Sequence, residues 1–258
     1  MYMIGQPHII NALRPILIDL YETGKGENFL IRGPSGYGKT RLALMICNYL
    51  VGGNFQMYIG ENFEFDNTKR VHFIDEVHLL THPELLYPVM DKREKVIILA
   101  TNATAELPEA LCNRCIDFTF DNYSIEELRE IARMYLTVQL PEDMIDYLIE
   151  AAGYNPRIIS GYARRLTVIF ERVTGVSGVS TLDEFKNLLE VSLGIKDGMD
   201  TLCHRYVTAL KALGGTASIE TLASYTHIDR QTMKFFVEPA LLYKKLIKIS
   251  SKGRSLCI

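Results

Sequence analysis

Residues 33–40 read Gly33-Pro34-Ser35-Gly36-Tyr37-Gly38-Lys39-Thr40. This is the G-x-x-x-x-G-K-T spacing of a phosphate-binding loop. Its glycines let backbone N–H groups close around phosphate oxygens. The helix expected next, with Arg41 in its first turn, offers its positive end to the same anion. Lys39 is placed to reach the β- and γ-phosphates, and Thr40 to hold Mg²⁺. An apolar run, Asn28-Phe29-Leu30-Ile31-Arg32, precedes the loop, as a strand should.

A second run, Val71-His72-Phe73-Ile74, ends in Asp75-Glu76. Behind a phosphate loop, such an aspartate contacts Mg²⁺, usually through water, and the glutamate polarises the attacking water as general base. His78, on the same turn, is expected to pack or hydrogen-bond locally. Asn102 follows a third run, Val96-Ile97-Ile98-Leu99-Ala100. It is placed to orient the water or touch the γ-phosphate, although turns also favour asparagine. Arg114 lies between a helix end and a fourth strand at 116–120. From there it can reach a neighbouring subunit's nucleotide as a finger; read alone it is a surface arginine. Arg157 opens an expected helix, where the dipole disfavours a cation. A bound phosphate accounts for it and makes Pro156-Arg157 a second nucleotide sensor. Cys112-x-x-Cys115 has no second ligand pair at a useful spacing, so no metal site is expected there.

The elements that must position these groups alternate. Helical spacing covers 9–21 and 41–50, with strands between, which implies an α/β domain with a parallel sheet covered on both faces. From Ser124 the periodicity is helical, with a small polar linker at 175–180. Residues 196–258 read as three helices and a terminal hairpin whose tip carries Lys252 and Arg254, a winged-helix pattern. The expected domains are 1–121, 122–195 and 196–258. Ten basic and five acidic residues fall in 196–258, against 18 and 26 in 1–195. A basic segment on an acidic body is where a polyanion docks, and a solvated surface is the plainer alternative.

Composition excludes several classes. The 258 residues are 48% hydrophobic and 23% charged, unlike a disordered or collagen-like chain. No apolar run approaches the ~20 residues of a membrane helix, and no secretory signal is read at the start. Five scattered cysteines fit a reducing compartment. A cytoplasmic protein with no membrane partner is expected.

In this order, the nucleotide motifs, the helical lid and the winged helix resemble AAA+ ATPases, and within them the RuvB family of Holliday-junction branch-migration motors. Ile4-Gly5-Gln6 resembles the family's element beside the adenine, and Tyr123 its lid-entry tyrosine. Phe73-Ile74-Asp75-Glu76-Val77-His78 resembles its Walker B segment. Leu111-Cys112-Asn113-Arg114 resembles its arginine-finger element, and Asn155-Pro156-Arg157-Ile158 its sensor 2. At sensor 1 the family has threonine; Asn102 is commoner in clamp loaders. Residues 215–222, 237–242 and 252–254 resemble its winged helix. The resemblance implies ATP and Mg²⁺ as cofactors, a homo-oligomeric ring, most simply a hexamer, and duplex or four-way-junction DNA held with little sequence preference. Lys39, Thr40, Asp75, Glu76, Asn102 and Arg157 would act in cis, Arg114 in trans, and Lys252 and Arg254 on DNA. The stretch 77–101 is short and leaves no room for the hairpin that docks RuvA, so a RuvA-type partner is not expected. The rival functions are a clamp-loader-like or helicase-loader-like ATPase and a nucleotide-dependent scaffold.

Overall fold

The computed structural model describes residues 3–60, 64–102, 106–172 and 179–257. They form two units, 1–124 and 125–258. The first unit runs α1 (Pro7–Thr23), β1 (Asn28–Gly33), α2 (Lys39–Val51), β2 (Gln56–Ile59), β3 (Val71–Asp75), α3 (Tyr87–Lys92), β4 (Val96–Asn102), α4 (Glu109–Cys112) and β5 (Ile116–Thr119), with two short 3₁₀ turns before α3. All strand pairs are parallel, in the order β2-β3-β4-β1-β5.

The strands read as continuous apolar runs because both sheet faces are covered. Successive side chains alternate between two cores. Phe29, Ile31, Phe73, Ile98 and Ala100 meet Leu13 and Leu17 of α1 and Leu42 and Ile46 of α2. Leu30, Ile74, Ile97 and Leu99 meet Val77, Leu86, Met90 and Leu111 on the other side. The register sets Gly33 opposite Asn102 and Ile74 opposite Leu99. The carboxyl ends of β1, β3 and β4 therefore lie side by side, where ligands of open α/β sheets bind. The run of strands expected from sequence lacks β2. That edge strand has four residues, of which only Tyr58 is buried, so no apolar run marks it.

The second unit begins with α5 (Ile125–Tyr135), α6 (Glu142–Ala151), α7 (Pro156–Arg172) and α8 (Leu182–Leu193). Their core holds Met144, Leu148, Ala163, Leu166, Phe185 and Leu189. Of the linker expected at 175–180, only Val179 and Ser180 are among the described residues. A capping box starts α8: Thr181 accepts from the Glu184 amide, and the Glu184 side chain answers.

Next come α9 (Thr201–Ala212), β6 (Thr216–Ala217), α10 (Ile219–Thr226), α11 (Arg230–Thr232), a π turn (Met233–Val237), α12 (Glu238–Tyr243), β7 (Ile247–Ser250) and β8 (Gly253–Leu256). β6 is two residues long and adds a third strand to the hairpin, in the order β6-β8-β7. This winged helix has its own core around Tyr206, Leu210, Leu222, Met233 and Leu241. It is also joined to the lid. The Gly198 amide donates to the Tyr147 hydroxyl at 2.8 Å, Lys244 Nζ to Glu150 Oε1 at 2.6 Å, and the Tyr154 and Tyr243 rings pack at a tilt of 32° with centroids 3.5 Å apart. At Gly153, φ is +58° and a Cβ would lie 2.5 Å from that of Ala240, so glycine is required twice over.

Candidate nucleotide site

The loop between β1 and α2 turns through Gly36 and Gly38, at φ +85° and +103°. Gly33 lies under Phe120, and a Cβ there would meet that ring's Cβ at 2.7 Å. Lys39 is buried. Its ammonium donates to Gly33 O at 2.8 Å, Pro34 O at 3.0 Å and Asn102 Oδ1 at 3.3 Å. Such charge-assisted bonds satisfy a buried cation. Thr40 Oγ1 donates to Asp75 Oδ2 at 2.8 Å, and the other oxygen of Asp75 accepts the Glu76 amide at 2.9 Å.

Glu76 turns the chain off β3 in the left-handed region, at φ +51° and ψ +47°, a conformation that costs a non-glycine residue energy and recurs at functional sites. Its Oε2 lies 3.4 Å from Asn102 Nδ2 and 3.4 Å from His78 Nδ1. His78 Nδ1 is also 3.2 Å from the Thr101 hydroxyl. Asn102 thus touches Lys39 with its oxygen and Glu76 with its nitrogen. His78 was expected to pack or bond locally; its hydrogen-bond partner is the Thr101 hydroxyl, with Glu76 close by.

Tyr123 donates to the Tyr37 carbonyl at 2.7 Å, and the two rings lie 5.5 Å apart. Burial pushes the Tyr37 phenol up from its ordinary pKa. Ile4 is buried, and Gly5 and Gln6 both have positive φ. The Gln6 side chain holds the backbone of Asp121 with both ends, donating to its carbonyl at 2.9 Å and accepting its amide at 2.8 Å. That amide pins the Ile4 segment beside the end of β5.

Arg41 is exposed on the first turn of α2. Arg114 sits between α4 and β5, paired with Asp91. Pro156 and Arg157 open α7 in the second unit; Pro156 is buried and Arg157 exposed, with no described partner for its guanidinium. Cys112 accepts a bond from Arg32 at 3.0 Å, and burial pushes the Cys115 thiol up to about 12, away from the thiolate a metal needs.

On the wing the structure corrects one expectation. Lys252 is exposed at the hairpin tip, but Arg254 turns inward. Its Nε donates to Glu238 Oε1 at 2.8 Å and its Nη2 to Oε2 at 3.4 Å. Glu238 is buried and also accepts from the Tyr206 hydroxyl at 2.9 Å. A buried carboxylate must be paired, and Arg254 is its counter-charge. Other exposed cations of this module include Arg230 and Lys234 on the third helical segment and Lys248 on β7. In a helix-turn-helix the second helix is the one presented to the groove.

The phosphate loop on β1, the Asp75-Glu76 end of β3 and Asn102 ending β4, side by side on one parallel sheet, define a P-loop α/β domain. Residues 196–258 match the model of the RuvB C-terminal winged helix domain. Branch-migration subunit RuvB of Mycoplasma genitalium is 26% identical across 97% of this chain and 91% of its own length. The structure of the Thermotoga maritima RuvB Holliday-junction branch-migration motor is 23% identical, with TM-score 0.80 over 98% of this chain and 92% of that one. Domain III of the Thermotoga maritima replication initiation protein DnaA follows at TM-score 0.55 and 21% identity, covering 74% of this chain and 94% of its own. The chain is thus similar to RuvB proteins along nearly its whole length. Among the described residues no helix is long and apolar enough to cross a membrane.

Proposed function

We propose that this chain is an ATP-hydrolysing DNA motor of the RuvB kind. It works as a hexameric ring in the cytoplasm and moves duplex or four-way-junction DNA with little sequence preference, without a RuvA-type partner. One observation carries the reading. A complete hydrolytic set, with Asn102 bridging Lys39 and Glu76 at 3.3 and 3.4 Å, shares a chain with a RuvB winged helix.

The residues fit ATP with Mg²⁺. The left-handed glycines leave the loop's backbone open to phosphate, and Thr40 and Asp75 are paired hard-oxygen groups of the type Mg²⁺ takes. When bound, Mg²⁺ neutralises charge between the phosphates. Lys39 exchanges the Gly33 and Pro34 carbonyls for phosphate oxygens. Glu76 accepts a proton from the water that attacks the γ-phosphorus as the bond to the bridging oxygen breaks, and the Asn102 amide fixes its carboxylate. Arg157 in cis and Arg114 from the neighbouring subunit offset the developing charge. Tyr123 and Ile4 flank the adenine. Lys252, with Lys234 and Lys248, holds DNA phosphates, so binding weakens with salt.

Steady-state ATPase with duplex and four-way-junction DNA, with junction dissociation followed in the same tubes, tests the proposal. DNA-stimulated turnover with junction movement and no added partner is expected. Stimulated turnover without movement points to a loader. No stimulation by any DNA overturns the motor reading.

A further inference from the structure

Arg114 is held from three directions by groups outside its own turn. Asn28, 1% exposed at the start of β1, donates from Nδ2 to Arg114 O and to Met90 O, each at 3.1 Å. This ties the arginine's backbone to α3. Asp91 on α3 takes the side chain edge-on, with Oδ1 2.8 Å from Nε and Oδ2 3.3 Å from Nη2. Tyr87, four residues earlier on the same helix, lies under the guanidinium, whose central carbon is 4.5 Å from the ring centroid. Nη1 donates to Ala110 O at 2.7 Å. A guanidinium has five N–H donors. Those contacts leave one hydrogen on each terminal nitrogen, on a side chain still 31% exposed.

The arrangement is costly for a stabilising device. The Asp91 side chain is 55% exposed, and exposed ion pairs contribute little to stability. The buried Oδ1 of Asn28 has no hydrogen-bond partner, which costs free energy. What a fork, a ring face and a backbone lock do together is remove rotational freedom from one arginine.

We propose that Asp91, with Tyr87 and Asn28, is the positioning apparatus for Arg114, fixing its outward N–H groups for a neighbouring subunit's nucleotide. The proposal rests on the reading of Arg114 as a finger in trans. Asp91 is a positioning residue and touches no substrate.

The test uses full chains carrying Asp91→Ala, Asp91→Asn, Arg114→Ala or Glu76→Gln, with thermal melts to confirm folding. Asp91→Ala is expected to lower kcat for ATP by roughly ten- to a hundredfold, as small misplacements do, with KM within about twofold of the unaltered chain, since a positioning residue leaves uniform binding in place. Asp91→Asn, which keeps an acceptor oxygen, is expected to fall between. Equal mixing of Asp91→Ala with Glu76→Gln should exceed the sum of their separate rates, because the former's intact site then meets the latter's intact finger. Mixing Asp91→Ala with Arg114→Ala should not. Wild-type kcat in Asp91→Ala overturns the proposal. So does rescue of Arg114→Ala, but not of Asp91→Ala, by Glu76→Gln. If Arg114→Ala turns over at the wild-type rate, or neither variant is rescued, the finger reading falls and the positioning role with it.

Discussion

The hydroxyl of Thr40 donates to Oδ2 of Asp75 across 2.8 Å, joining the first turn of α2 to the end of β3. In the proposed site a cation that prefers oxygen would find these two groups already adjacent. Asp75→Asn keeps the size and an acceptor oxygen but removes the charge. It is expected to reduce turnover by roughly a hundredfold and to shift the Mg²⁺ needed for half-maximal activity upward. A magnesium titration of ATPase activity reads both. An unchanged magnesium requirement would remove Asp75 from the metal site.

Lys39 places a buried ammonium against two loop carbonyls and Asn102. Lys39→Ala is expected to abolish measurable ATP binding, because the loop loses the buried ammonium held against its carbonyls. Titration with a fluorescent ATP analogue checks this. Unchanged affinity would sink the phosphate-loop assignment.

His72 is fully buried on β3, its ring stacked on Tyr58 and near Phe65, with Nε2 3.0 Å from Lys69 O. Burial lowers its pKa to about 4. An unfolded histidine titrates near 6.5, so between those values the unfolded chain binds more protons than the folded one. Stability is therefore full above about pH 6.5 and falls on acidification toward pH 4, by on the order of 3 kcal/mol from this group. Urea melts across that window should show the slope, and His72→Leu should flatten it. An identical slope in the variant would assign the effect to other groups.

Two cations on one hairpin should behave differently. Lys252→Glu is expected to weaken DNA binding uniformly across sequences and to reduce the salt slope by about one, with the melt unchanged. Arg254→Ala leaves Glu238 buried without its counter-charge and should cost about 3–5 kcal/mol of stability. Salt-dependent binding curves and thermal melts on both variants separate the roles. A stable Arg254→Ala protein with lost DNA affinity would return Arg254 to the DNA surface.

The candidate nucleotide site stands out in the sequence because phosphate chemistry imposes spacing over a few neighbouring residues. Gly33 to Thr40 and Asp75-Glu76 declare themselves within one turn each. The sheet was legible where strands are buried on both faces, as at Val96 to Ala100, and illegible at β2 and β6, short strands without an apolar run. Pairings made only in the folded chain were hidden. Arg114 and Asp91 are 23 residues apart, and Gln6 and Asp121 are 115 apart. Arg254 was read as a DNA contact because a cation on a wing hairpin suggests one, and its pairing with Glu238 was hidden. Nothing local reveals that Glu238, at the start of α12, is buried and claims it.

The lid and the winged helix have separate cores, yet Gly153 against Ala240, Tyr154 on Tyr243 and the Lys244–Glu150 pair clasp them together. Neither core can shift without the other. A push on helices α5–α8 is therefore a push on the hairpin that carries Lys252.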